Sequence, residues 1–196
     1  MAENNYRLTE PSQAALLTSR QRMQDWFKAT APTINWATLD SPLGTIYMAR
    51  NTAGICKLDF GTDEDGFMEA LDPLARTEHD PNPLSTTMKQ LDEYFTGRRQ
   101  RFDVPVDLSQ VTDFQRDVLH AAETIPAGAV WTYGDVAKQI GKPQASRAVG
   151  QALGRNPIPI IVPCHRVIGS NGQMVGYSGG GGIESKKWLL RLEGAL

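Results

Sequence analysis

Cys164 and His165 stand side by side in Pro163-Cys164-His165-Arg166-Val167, between the apolar run 158–162 and a glycine-rich segment. A thiol attacks as thiolate and a free cysteine ionises near ~8.5, so an adjacent imidazole is a natural acceptor for its proton. The pair points to nucleophilic chemistry, although so short a motif also fits an accidental neighbour. The chain has two cysteines, Cys56 and Cys164, too few for a disulfide framework. His79, His120 and His165 have no paired-ligand spacing, and no metal is expected.

These residues sit in a chain of 196 residues, 40% hydrophobic and 21% charged, enough for one ample core or two small ones. The run 158–162 is far short of the ~20 apolar residues that span a bilayer, and the polar N-terminus has no signal-peptide core. A cytoplasmic protein without a membrane partner is expected. The net charge of -2 hides an asymmetry: residues 109–196 sum to +3 and residues 1–108 to -5. An anionic partner for the second half would explain it, as would chance variation between two halves of a near-neutral protein.

In the first half, residues 11–30 place Leu16, Met23 and Phe27 on one face of a peripheral helix. Residues 45–49 and 55–60 read as strands, with turn signals at Ser41-Pro42-Leu43-Gly44 and Asn51-Thr52-Ala53-Gly54. Cys56, Leu58 and Phe60 would share one face of the second strand, which makes Cys56 a small core residue. Residues 85–96 predict a helix with Met88, Leu91 and Phe95 inward and Gly97 as its stop. Phe102, Val104, Val106 and Leu108 then alternate as a final strand. The expectation is an α+β domain over residues 1–108, with an extra N-terminal helix and no visible chemistry.

The second half reads as helices punctuated by glycine and proline. Residues 113–125 form one helix, ending before Pro126. Thr132-Tyr133-Gly134-Asp135 has the form of a capping box, so a second helix starts near Tyr133 and runs to Ile140, stopped by Gly141. A third begins at Pro143 or Gln144, with Ala145, Ala148, Val149, Ala152 and Leu153 as its apolar stripe. Two short helices joined by three or four residues make a helix-turn-helix pattern. The opposite face of the third helix offers Ser146, Arg147, Gly150, Gln151 and Gly154. Two glycines in a helix cost roughly 1 kcal/mol each, so something must approach this backbone closely. The minor groove of DNA, about 6 Å wide, and the protein's own first domain are both candidates.

The segment 155–169, followed by Gly176-Tyr177-Ser178-Gly179-Gly180, resembles the active-site signature of the O6-alkylguanine-DNA alkyltransferases, and the resemblance covers about residues 109–196. It implies a ribonuclease-H-like first domain (1–108) and a winged helix-turn-helix second domain (109–196) that binds DNA and carries the reactive cysteine. It also implies that Cys164 takes the alkyl group from O6 of a damaged guanine once and irreversibly, without a cofactor. The partner would be duplex DNA holding O6-alkylguanine, with O4-alkylthymine a second candidate lesion, bound by a monomer.

Carried over residue by residue, His165 would take the thiol proton through a water, with Glu193 holding the imidazole. Together they are expected to lower the thiol pKa below ~8.5. Asn156 would tie the active-site turn to the recognition helix. Because a stacked base cannot reach a thiolate, the nucleotide must be flipped out. Arg147 would fill the vacated stack, and Tyr133 would press on the 3′ phosphate and contact guanine N3. Main-chain groups of Cys164 and Val167 would face the exocyclic amine, Ser178 would face O6, and Tyr177 would wall the pocket. Taken alone, these residues have plainer readings: Glu193 a solvated carboxylate, Arg147 a phosphate-binding surface arginine, Tyr133 a packing aromatic, Asn156 a helix C-cap. The run 178–188 is about two residues longer than the family pattern, and its four glycines read as a loose loop.

Two rivals share the architecture. A damage sensor of the same fold would lack the nucleophile, and a transcription regulator fused to a zinc module would need more cysteines. A cysteine hydrolase would keep Cys164 and His165 but leave the small-faced helix without a purpose.

Overall fold

The computed structural model describes residues 12–174, 176, 177 and 179–196, without the side chains of residues 15, 24 and 27–29. Phe27 and Ser178 therefore lie outside the described groups. The first half is built on a four-stranded sheet of order β3-β2-β1-β4, with β1 (Thr33–Ser41), β2 (Gly44–Arg50) and β3 (Ile55–Phe60) antiparallel and β4 (Arg76–His79) parallel to β1. The two strands read from sequence are β2 and β3. β1 escaped because its buried positions, Ile34 and Ala37, do not alternate, and β4 because Arg-Thr-Glu-His is mostly exposed. A short helix α2 (Glu64–Glu69), capped by the Asp63 carboxylate accepting from Gly66 N–H at 2.9 Å, seats Phe67 on the outer face of the sheet.

The sheet corrects the reading of Cys56. The register slips at Ala49/Arg50, a bulge in which one strand carries an extra residue. Ile55 therefore joins Leu58 and Phe60 in the main core, while Cys56 turns to the smaller cluster of Ile34, Ala49, Phe67 and Leu71. The expected strand at 102–108 is also absent as a strand. Only Val106 bridges to Ile55, through Ile55 N–H to Pro105 O at 2.8 Å and Asp107 N–H to Ile55 O at 2.7 Å. Pro105 has no N–H to extend a ladder.

The N-terminal helix α1 (Gln13–Thr30) leaves Leu16 and Met23 45% and 64% exposed, so those residues of its stripe cover no core. Helix α3 (Ser85–Phe95) buries Leu91 and Tyr94 against the sheet, with Met88 and Phe95 packed at the margin.

Thr112 caps α4 (Asp113–Glu123). The capping box is present at Thr132 and Asp135, starting α5 (Tyr133–Gln139), and Gly141 follows at φ 71°. Helix α6 runs Ser146–Leu153, later than predicted, because Lys142 O and the residues up to Ala145 form a turn instead. The connector is thus longer than three or four residues. Val149, Ala152 and Leu153 are buried, but Ala148 is exposed, outside the stripe assigned to it. A small parallel pair joins β5 (Trp131–Thr132) to β6 (Val167–Ile168), and α7 (Ile183–Leu192) closes the chain with Glu193 as its C-cap.

One apolar core runs from Ile46, Met48 and Phe60 of the sheet through Leu91 and Tyr94 to Val118, Val149, Ile158, Val162 and Leu189. The two halves are therefore packed on each other, and Cys164 lies in the core they share.

Candidate active site

Leading into the motif, residues 157–162 form a tight buried turn in which Ile160 holds φ at 75°, a strained value for a β-branched residue. Asn156, 7% exposed, fastens this turn to the end of α6: its Nδ2 donates to Val162 O at 2.8 Å and its Oδ1 accepts from Ile158 N–H at 3.0 Å. The C-cap reading of Asn156 gives way to a cross-brace. Cys164, His165 and Arg166 then make one turn of 3-10 helix, all three buried.

His165 is fully buried, with Nε2 3.0 Å from Glu193 Oε1. Glu193, whose side chain is 2% exposed, also accepts from Arg166 Nε–H at 2.9 Å, Arg166 Nη2–H at 2.8 Å and Tyr94 O–H at 2.7 Å. Burial alone would raise its pKa, but hydrogen bonds from His165 and Arg166 overcome this and hold it at about 2. An ionised Glu193 can only accept, so His165 carries its proton on Nε2. Its Nδ1 is then a lone pair, buried and met by no hydrogen-bond partner among the described residues. Burial pulls the His165 pKa below its ordinary value despite Glu193, so the imidazole is neutral and basic at Nδ1.

Cys164 is 5% exposed. Burial raises its pKa, opposed by a hydrogen bond from Asn156 and by the charge of Lys186. The expected lowering of the thiol pKa is thus not found in this state: desolvation outweighs the neighbours, and the resting group is a thiol. Lys186 was missed from sequence. It is 1% exposed, donates from Nζ to Val167 O at 2.6 Å and stands 5.9 Å from the centre of the Tyr133 ring. The available signal was a lysine on the buried stripe of α7, at i, i+3, i+4 and i+7 with Leu189, Leu190 and Glu193.

Tyr133, Gly150, Leu153, Gly154, Gly176 and Tyr177 close around the thiol, leaving about 10 Å³ beside it. Outside lies a groove of about 940 Å³ whose walls include Tyr133, Ser146, Arg147, Gly150, Gln151 and Tyr177. The small face of α6 therefore opens to this groove and is not consumed in packing against the first half. Tyr177 packs on Phe60 at 6.3 Å, and its buried hydroxyl meets no hydrogen-bond partner among the described residues. The structure brings together Cys164, His165, Glu193, Asn156, Val167, Tyr133 and Tyr177, with Arg147 at the groove.

The glycine run is not loose. Gly180 N–H donates to Phe60 O at 2.9 Å, and a Cβ on Gly180 would stand 2.2 Å from that oxygen and 2.5 Å from Gly61 Cα. The first half also reaches the buried carboxylate, where no contribution from it was expected. Tyr94 reaches Glu193 across 99 positions of chain, a contact no local pattern announces.

The fold and site define a two-part α/β protein in which a helix-turn-helix groove leads to a thiol backed by a histidine–glutamate pair. Residues 34–108 match the 6-O-methylguanine DNA methyltransferase ribonuclease-like domain, and residues 113–195 the DNA binding domain of the same family. The methylated-DNA–protein-cysteine methyltransferase of Mycobacterium tuberculosis is 45% identical over 162 residues, 82% of this chain and 92% of that protein. The constitutive one of Bacillus subtilis is 42% identical, over 81% of this chain and 94% of its own. A crystal structure of the Mycobacterium tuberculosis O6-methylguanine methyltransferase superposes with a TM-score of 0.71 at 43% identity, covering 83% of this chain and 93% of that one. The OGT of the same bacterium in complex with DNA gives 0.70 at 42%, over the same shares. The chain belongs to the methylated-DNA–protein-cysteine methyltransferase family.

Proposed function

We propose that this protein repairs duplex DNA by moving the alkyl group of O6-alkylguanine onto Cys164, in a single turnover. The observation that carries the reading is the pairing of a sealed thiol with a neutral histidine whose Nδ1 meets no partner among the described residues and whose Nε2 is held by an ionised carboxylate. In the reaction the Cys164 proton passes through a water to Nδ1, and Sγ attacks the alkyl carbon. The carbon–O6 bond breaks with its electron pair going to the purine, which takes up from the His165 imidazolium the one proton that left the thiol, while the Tyr133 hydroxyl contacts N3. The thioether is final because an uncharged thioether would have to expel a thiolate to give up its alkyl carbon, and nothing in the reaction activates it to do so. Lys186 lies close enough to lower the thiol pKa and would favour the thiolate as it forms. Glu193 would do the same for the imidazolium.

About 10 Å³ beside the thiol cannot hold a purine, so the walls carrying Tyr133 and Tyr177 must part when a base enters. Arg147, exposed at the groove, is assigned to the gap left by the flipped base, and Ser178, outside the described residues, to O6. Val167 O, the assigned acceptor for the exocyclic amine, already accepts from Lys186 and has a second lone pair to offer. We place the domain boundary at 108/109 and the protein, as a monomer, in the cytoplasm; O4-alkylthymine is the second lesion.

Mass spectrometry after incubation with O6-methylguanine duplex tests the reading. One methyl should appear on Cys164 per protein, with no recovery. A modified Cys56, or repeated turnover, would overturn it.

A further inference from the structure

Glu193 Oε1 takes three donors: His165 Nε2–H, Arg166 Nη2–H and the Tyr94 hydroxyl, the last the shortest at 2.7 Å. The third comes from the other domain. We propose that Tyr94 is a positioning residue for the proton relay, which by donating to the oxygen that holds His165 fixes the carboxylate and limits its pull on the imidazole proton. The inference rests on the relay proposed above.

The geometry leaves the hydroxyl little other purpose. Tyr94 is 1% exposed, and its ring is clamped edge-on by Phe95 at 5.5 Å and tilted against Phe102 at 5.3 Å, so packing sets the aim of the oxygen. The sense of the bond is fixed. Burial first, then the charge of Glu193, pushes the phenol far above its usual pKa, while the carboxyl stays ionised down to about 2. Each hydrogen donated to a carboxylate oxygen spends some of its negative charge, so a third donor weakens that oxygen as an acceptor for an imidazolium. The remaining groups facing the imidazole, Arg166 and Lys186, both disfavour its charge, and Cys164 supplies the proton it must take. With Tyr94 in place, His165 remains neutral and ready to accept over a wider range of acid pH.

The test is the pH profile of transfer from O6-benzylguanine, which needs no flipping, for wild type, Tyr94→Phe, Glu193→Gln and the double variant. Tyr94→Phe deletes one oxygen and keeps the ring. Losing a hydrogen bond to a charged group should move the acid limb up by about one pH unit, so that the rate in the limb falls about tenfold while the alkaline plateau does not. In the Glu193→Gln background the tyrosine change should shift nothing. A 3-fluorotyrosine at position 94, a stronger donor of almost the same shape, should move the limb the other way. Nitrogen-15 resonances of His165 report the same shift directly, should the limb lie below the range where rates are measurable. Profiles of unchanged shape, a uniform loss at every pH, or an equal shift in both backgrounds would each overturn the proposal and leave Tyr94 an interdomain strut. Absence of alkylated Cys164 in the wild type would instead remove the relay itself.

Discussion

Cys56 and Cys164 present the same thiol in two settings. Burial first, and then the charge of Asp107, pushes Cys56 up to about 11, and its Sγ lies 3.5 Å from Ala49 O. Burial also raises Cys164, yet a hydrogen bond from Asn156, the charge of Lys186 and the backbone N–H groups of Cys164 and His165 all favour loss of its proton. Reactivity here follows from the neighbours and not from exposure, since the reactive thiol is the more buried of the two. Cys164→Ala should therefore abolish transfer while DNA affinity stays within about threefold of wild type, because phosphate and groove contacts supply the affinity. Cys56→Ala should keep full transfer. Alkyl mass on the protein and fluorescence anisotropy with a labelled duplex read the two quantities separately.

At the scale of elements, two segments are specified by what must come close to them. Helix α6 turns Ser146, Gly150 and Gln151 to the groove and leaves Arg147 exposed beside it. Arg147→Ala should slow repair of duplex O6-methylguanine at least about tenfold, the cost of losing support for an unstacked base, and leave reaction with free O6-benzylguanine within about twofold. Equal losses on both substrates would make it a residue of fold or pocket. The glycine run meets the protein itself. A methyl at Gly180 would strike Phe60 O and Gly61 Cα, backbone that cannot rotate away. Gly180→Ala should cost about 2 kcal/mol or more and lower the thermal midpoint by roughly 5 °C. A scanning calorimeter checks it.

For the molecule as a whole, the buried His165–Glu193 pair sets a limit on acid stability. His165 has a folded pKa below its unfolded value of about 6.5, so the unfolded chain binds the proton first and stability is lost as pH falls below that point. Glu193 acts in the same direction lower down. Its folded value of about 2 against the ordinary 4.5 contributes stability above 4.5 that disappears as pH falls toward 2. The thermal midpoint should be level near pH 7–8, begin to fall below about 6.5, and fall more steeply below about 4.5. His165→Gln should remove the first step and keep the second. A midpoint that rises between about pH 6 and 5 would contradict the His165 shift, and one that rises between about pH 4 and 3 the Glu193 shift.

What the sequence determined by itself was local. The Cys-His pair, the capping box at Thr132 and Asp135, the stop at Gly141, the small face of α6 and most helix spans depend on neighbours within a turn or two, and those neighbours are legible in a string of letters. The family signature around Cys164 also marked Asn156, Tyr133, Arg147, Val167, Tyr177 and Glu193 before any fold was known. Only the tertiary structure decided the rest, because it concerns groups far apart in the chain. A register slip at Ala49/Arg50 turned Cys56 out of the main core. Pro105 and a single bridge to Ile55 replaced an expected strand with an extended segment. Packing of Phe60 and Gly61 against Gly180 made a tight contact of what read as a loose loop. Burial raised the pKa of a thiol expected to have it lowered, and packing brought Lys186 to Val167 O and Tyr94 to Glu193. Desolvation and long-range hydrogen bonds depend on which surfaces the completed core brings together, and hydrophobic periodicity along one element carries no record of what packs against it.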